Sequence, residues 1–346
     1  MKIEIIAKER QDISRLVRNV TWSGSRINVA RKLELDFTQD DRDPHCPLID
    51  FDNGYTVVAY DETGNAFFEG NVYRYKRSRA EGNVHLMCWD HLHVMKVSKM
   101  TKEYKDALPE DIAAEMCKLL GVLPGDIAKT GEKVSFLANN KTGYQIIMMA
   151  YTEAHKKNEK IYQPIMNGAK LDIIEKGTLI EDFVLDSRIN MMNSEYEESI
   201  EKLINQVALL DEQGNITSYE RDEESISKYS MFQTTIKTDP NKDMKKEVEN
   251  IFKDNKVERS GHITALGDYR AVSSYSIQIT DGLFNGQFWI KQDTHTFKEG
   301  QHEMKLELEF ENEMNEVEAP QKKEKKTDSK SKKRQRKVKD DETNAG

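Results

Sequence analysis

His85, Cys88, His91 and His93 crowd into nine residues, and they form the grouping in this chain best suited to chemistry. Imidazole and thiolate are the usual ligands of zinc, and a His-x-His pair on a strand presents both rings to one ion. On one continuous strand His85, His91 and His93 share a face while Cys88 points away. The candidate metal set is therefore the three histidines alone. The reading preferred over it is a strand edge carrying partly exposed histidines, so neither metal nor cofactor is expected. His295 and His302 flank Gly300 and are expected to satisfy backbone groups around that turn. The fourteen methionines, Met148-Met149 and Met191-Met192 among them, read as core filler.

Signatures of catalysis fail one by one. A zinc-protease helix needs His-Glu-x-x-His, and His302-Glu303-Met304-Lys305 continues with Leu306. Gly125 and Gly131 stand one residue too far apart for a phosphate-cradling Walker loop, and Glu132 follows. Asp239-Pro240-Asn241-Lys242-Asp243 opens like a calcium loop but has Met244 where glycine is required. No Gly-x-Ser-x-Gly elbow occurs. With 61 carboxylates, acidic pairs arise by chance. No catalytic residue is nominated, and the chain is expected not to be an enzyme.

Period-2 alternation places the strands. Leu33, Leu35 and Phe37 alternate with Lys32, Glu34 and Asp36; Tyr73 and Tyr75 with Arg74 and Lys76; Val84, Leu86 and Cys88 with His85, Met87 and Trp89. Turns at Asp52-Asn53-Gly54, Thr63-Gly64-Asn65 and Glu81-Gly82-Asn83 separate such runs, which predicts a small antiparallel barrel or sandwich over residues 1–98. A second β block follows the same rule: Tyr275, Ile277 and Ile279, then Met304, Leu306, Leu308 and Phe310, with Gly282 and Gly286 marking a turn before Phe288-Trp289-Ile290. Residues 190–220 are expected to add strands, with Val207–Leu210 closed by a turn at 211–215. Helices are expected after Pro109, where Ile112, Met116, Leu119 and Leu120 share a face and Gly121 stops the run, and over 142–157 behind a Thr142 cap. Asp239 and Pro240 form a cap-plus-N1 pair ahead of Met244, Val248, Ile251 and Phe252. No repeat with a 20–50-residue period is visible.

The 346 residues carry a formal charge of −9, distributed unevenly. Residues 319–346 hold eleven cations against five acids, for +6, which leaves −15 on the rest. With Val338 as its one apolar side chain larger than alanine, this tail is expected to be disordered, and the ordered body is expected to end near Phe310. Such a tail could bind nucleic acid without sequence preference, but it has no aromatic residue for stacking, so a solubilising or docking role is preferred. No apolar run approaches the roughly 20 residues of a membrane span. Without a secretory signal, and with three widely spaced cysteines (Cys46, Cys88, Cys117), the chain is expected to be made in a cytoplasm.

Several phrases carry a resemblance. Val20-Thr21-Trp22-Ser23-Gly24-Ser25-Arg26 running into Ala30-Arg31-Lys32-Leu33-Glu34-Leu35, then Phe67-Phe68-Glu69-Gly70-Asn71-Val72, resemble the opening of the XkdQ/YqbQ-type proteins of PBSX-like prophages. Gly282-Leu283-Phe284-Asn285-Gly286-Gln287-Phe288-Trp289-Ile290, Asp293-Thr294-His295-Thr296-Phe297 and Gly300-Gln301-His302-Glu303-Met304 resemble that family's closing stretch. Its signature positions here are Trp22, Gly24, Gly70, Gly282, Gly286, His295, Gly300 and His302, all with structural roles. These are baseplate hubs of contractile tails, in the fold group of late control protein D.

The resemblance implies an α+β, mainly β fold. It consists of a tube-type antiparallel β-barrel over 1–98, a helical or α+β connector over 99–188, and a second tube-type barrel over 189–318 with a helical insertion near 222–256. A disordered basic tail follows over 319–346. It also implies a homotrimer that matches a hexameric tail tube to a trimeric spike and meets other baseplate proteins, in a virion or a tail-like bacteriocin. Two similar barrels per chain make such a trimer pseudo-sixfold. Interfaces are expected at the strands around 71–76, 84–89, 287–291 and 303–310, with no membrane insertion. An acid-lined lumen would let DNA pass without binding. The alternative function is a tail-associated peptidoglycan hydrolase, for which no residue is nominated.

Overall fold

A computed structural model describes residues 1–240 and 242–319 of the chain. The expected basic tail lies, from residue 320 onward, outside the described residues. The first seven strands are β1 (Lys2–Ile6), β2 (Arg10–Asp12), β3 (Val17–Ser25), β4 (Lys32–Thr38), β5 (Thr56–Tyr60), β6 (Ala66–Ser78) and β7 (Asn83–Asp90). They run in the order β2-β1-β5-β6-β7-β4-β3, antiparallel throughout. The alternation read from the sequence decides their faces: Leu33, Leu35, Phe37, Val84, Leu86 and Cys88 are fully buried. Each large side chain sequestered in this way stabilises the sheet by roughly 1.5–3 kcal/mol.

Helix α1 (Leu92–Val97) leads into a middle module of β8 (Lys99–Ala107), α2 (Pro109–Leu120), β9 (Leu123–Ile127), β10 (Val134–Thr142), α3 (Gly143–Asn158), β11 (Tyr162–Asn167) and β12 (Lys170–Glu175). Pro109 is the first residue of α2, and Gly121 ends it in the left-handed conformation. Ile112 and Met116 face the core as expected, whereas Leu119 is 57% exposed. Thr142 caps α3 through a reciprocal box: its hydroxyl accepts from the Gln145 N–H at 3.2 Å, and the Gln145 side chain accepts from the Thr142 N–H at 3.0 Å. Two small sheets, β10-β8 and β11-β12-β9, enclose a core shared with the three helices.

The remainder comprises β13 (Leu179–Asp186), β14 (Met191–Ser199), β15 (Gln206–Leu210), β16 (Ile216–Arg221), α4 (Glu223–Tyr229), β17 (Gln233–Lys237), α5 (Met244–Asp254), β18 (Glu258–Leu266), β19 (Ser276–Thr280), β20 (Asn285–Lys298) and β21 (Gln301–Glu309). Here the structure departs from expectation in three places. Val207–Leu210 is a strand, but β15 pairs with β16 and, in parallel, with β17, in a separate sheet of the insertion. The insertion is thus larger than a helical piece near 222–256. Helix α5 begins at Met244 behind an Asp243 cap, which accepts from the Lys246 N–H; Asp239-Pro240 precedes it without capping it. The ordered body runs past Phe310: Met314, Val317 and Ala319 pack on the middle module's core, and the Val317 N–H donates to the Thr152 hydroxyl.

The second group of strands has the order β13-β19-β20-β21-β18-β14, which repeats β1-β5-β6-β7-β4-β3 element for element. Two of the irregularities repeat too. The β20·β21 ladder slips between Ile290 and Gln292, as β6·β7 slips between Val72 and Arg74. The β14·β18 ladder slips between Met191 and Asn193, as β3·β4 slips between Val17 and Asn19. One difference is that β13·β19 is parallel where β1·β5 is antiparallel. The two groups are continuous with one another: β20 pairs with β3, joining them into one curled 13-stranded sheet.

Candidate functional site at the sheet junction

Strand β20 is 14 residues long and serves two neighbours in turn. Its first part pairs with β19, and Gln292–Lys298 pair with β3, from Ser25 back to Asn19. Buried charge is concentrated along this second part. Arg31, in the loop before β4, binds both carboxylate oxygens of Asp293, with Nη1 to Oδ1 at 3.0 Å and Nη2 to Oδ2. Asp293 is fully buried and also accepts the Ser273 N–H at 2.7 Å. The guanidinium lies 4.0 Å above the Trp22 ring. Glycine is required at position 24 by this arrangement, because a Cβ there would overlap the Arg31 guanidinium that Asp293 holds in place. The Arg31 backbone N–H in turn donates to Asp90, whose carboxylate also accepts from Leu92 at the start of α1.

A ring cluster continues the junction. Trp22 meets Phe67 at 4.9 Å and His295 at 5.0 Å, and His302 stacks on Phe297 at 4.1 Å. His295 Nε2 lies 3.1 Å from the Ala271 carbonyl, a backbone group outside the Gly300 turn, while its Nδ1 lies 3.0 Å from His302 Nε2. The turn between them, Glu299-Gly300, has φ of 53° and 78°, a two-residue hairpin geometry in which glycine is free of strain. A cavity of about 380 Å³ adjoins the cluster, lined by Trp22, Arg31 and Phe67 from the first strand group, Gln163 from the middle module, and Tyr269 and Tyr275. These charges answer one another or backbone groups, which suits a fastening between modules.

Burial is the main cause that lowers both imidazoles to a pKa of about 4; Asp293 opposes it at His295, and His295 adds to it at His302. The unfolded chain takes up those protons near pH 6.5 and the folded chain only near 4, so the pair costs stability as pH falls through that window. Asp90, raised by burial to about 7, acts in the opposite sense. Replacing both histidines with glutamine is expected to flatten the acid limb of the melting midpoint between pH 6.5 and 4. An unchanged slope in thermal melts would show that the pair does not titrate in this way.

The signature positions divide. Trp22, Gly24, His295 and His302 converge on the junction, while Gly70 sits mid-β6 and Gly282, Gly286 and Gly300 lie at or beside turns. The histidine trio does not share a strand face. β7 ends at Asp90, His91 is the N-cap of α1 and His93 lies within the helix, stacked on Trp89 at 5.2 Å. His85 is bound to Asp36 at 2.8 Å. Among the described residues, no cluster of three metal-ligating side chains occurs. Three of the four expected edges are internal: β7 and β21 are paired on both sides, and residues 287–291 lie in β20 between β19 and β21. Sequence reasoning missed Arg31 and Asp293 as partners, although an arginine inside the opening phrase and an aspartate inside the closing one are the signal that would have paired them.

A family model described as YQBQ-like matches residues 20–309. The phage-like element PBSX protein XkdQ of Bacillus subtilis (strain 168) is 21% identical over 323 residues, covering 87% of this chain and 95% of its own length. The 43 kDa tail protein of prophage MuSo2 from Shewanella oneidensis shares the fold with a TM-score of 0.66 at 10% identity, over 89% of this chain and 97% of that one. The E. coli c3393 protein, a component of the type VI secretion system with structural similarity to T4 bacteriophage tail proteins gp27 and gp5, shares it with a TM-score of 0.51 at 9% identity, over 84% and 73%. The fold is therefore one found in prophage tail proteins, and by the match across most of its length the chain belongs to the YQBQ-like family.

Proposed function

We propose that the chain is a structural, non-catalytic baseplate hub of a phage tail or tail-like particle, made in the bacterial cytoplasm and built into the particle. Three copies form a ring that joins a sixfold tail tube to a threefold spike and contacts other baseplate proteins. The observation that carries this reading is the repeated strand order, bulges included, of two half-barrels fused edge to edge in one polypeptide. Three such chains supply six near-equivalent modules, and closing a ring would pair strand edges that a single copy leaves open. The polar face of the curled sheet carries Lys32, Glu34, Asp36, Lys76, Lys305 and Glu307, both signs together, so a uniformly acidic bore does not form part of the proposal.

Native mass measurement on the purified chain, alone and mixed with tube and spike proteins of the same particle, tests this reading. Three copies per complex are expected. A chain that stays single under both conditions removes it.

A further inference from the structure

We infer that neighbouring copies of this chain join by antiparallel pairing of the second half of β6 in one copy with β14 in the next, the quasi-equivalent of the β20·β3 junction within the chain. The hub reading supplies only the number of copies; the contact itself comes from the internal repeat. β20 corresponds to β6 and β3 to β14, and the shared bulges fix the register. Gln292 corresponds to Arg74, because each follows the slip against the equivalent strand, and Trp22 corresponds to Tyr196, because each faces the equivalent residue of the next strand. Among the described residues, no strand pairs with the outer edge of β6 beyond Asn71 or with the outer edge of β14. These are the two edges that a head-to-tail contact would consume.

Transferring the register places Lys76 opposite Glu197, as Thr294 stands opposite Ser23, and Ser78 opposite Glu195, as Thr296 stands opposite Thr21. The chemistry agrees with a placement derived without reference to charge. The β6 edge reads Arg74-Tyr75-Lys76-Arg77 and the β14 edge Glu195-Tyr196-Glu197-Glu198, and all eight residues are exposed. Opposite charges facing across a ladder favour the pairing, whereas copies meeting β6 to β6 or β14 to β14 would oppose like charges. The occupant of each edge is therefore a second copy, joined through unlike edges, which is the contact that generates rings.

Disulfide trapping tests the register. In a Cys46→Ser background, Lys76→Cys with Glu197→Cys should give covalent dimers and trimers on oxidation, read on a non-reducing gel. Arg77→Cys with Glu197→Cys should cross-link far less, because a one-residue shift puts the thiols on opposite faces. As a second measurement, Lys76→Glu with Arg77→Glu, or Glu195→Lys with Glu197→Lys, should each weaken self-association at least about tenfold, and mixing the two variants should restore it in their heterotypic contact. If the wild type forms trimers but the matched pair fails to cross-link, or the shifted pair links equally well, this contact is wrong and the hub reading stands. A wild type that never self-associates, alone or with tube and spike proteins, overturns both.

Discussion

Asp293→Ala is expected to lower the stability of the folded chain by about 3–5 kcal/mol, the range for removing one partner of a buried ion pair. Asp293 is inaccessible to solvent; it holds the Arg31 guanidinium with both oxygens and accepts the Ser273 N–H. The alanine variant keeps a guanidinium sealed over Trp22 with no carboxylate, and a buried N–H with no acceptor. Most of the loss is therefore the cost of stranded groups, not of a favourable bond removed. The double replacement Arg31→Met with Asp293→Leu should recover much of the deficit, because apolar groups of similar volume then strand only the Ser273 N–H and no charge. Denaturant midpoints at constant slope give the comparison. Hydrogen exchange should show protection lost chiefly at residues 19–25 and 292–298, where β3 and β20 meet. A deficit under about 1 kcal/mol for Asp293→Ala would mean that the pair contributes little to holding the modules together.

Much of this architecture is legible in the sequence because its cause is local. Leu33, Leu35 and Phe37 alternate with charge whatever lies beyond them, and Pro109, Gly121 and Thr142 punctuate helices through their own backbone chemistry. What escaped reading depends on partners far along the chain. Val207–Leu210 has the pattern of a strand, but no periodicity says which sheet receives it. Asp239-Pro240 offers a good helix start, yet Asp243 lies closer to the amphipathic run and takes the cap. The internal repeat is invisible because it resides in pairing order and bulges, not in residue type. Leu33 and Gly261 occupy equivalent places, as do Trp22 and Tyr196. One hint was available: β6 and β20, at 13 and 14 residues, are long enough to serve two neighbours on one edge. The histidine trio failed for a related reason, since the Asp90 carboxylate draws in the Leu92 N–H and turns the chain into a helix before His93.

Glu309→Ala is expected to cost a similar 3–5 kcal/mol by a different route, because it leaves the buried Lys176 ammonium without a carboxylate beside Arg26, which keeps the Glu313 carboxylate at 3.3 Å. Glu309 accepts from Arg26 Nε through one oxygen and from Lys176 Nζ at 2.8 Å through the other. Lys176 is fully buried at its side chain, and its remaining contact there is the Glu313 carbonyl at 2.8 Å. Arg26 follows β3, Lys176 follows β12, and Glu309 ends β21, so one carboxylate ties all three modules at the point where the chain turns back toward α3. Lys176→Met should be milder, since Glu309 then keeps Arg26, and this ordering separates the effect of charge from that of packing. Burial already pushes the Lys176 ammonium down. Without Glu309 it falls further, so the deficit should shrink as the pH rises toward about 10 and the ammonium discharges. Residues 311–319 should loosen in step, with exchange at Val317 rising as its bond to Thr152 is lost. If Glu309→Ala and Lys176→Met prove equally costly at every pH, the cluster acts by packing alone and not as an electrostatic fastening.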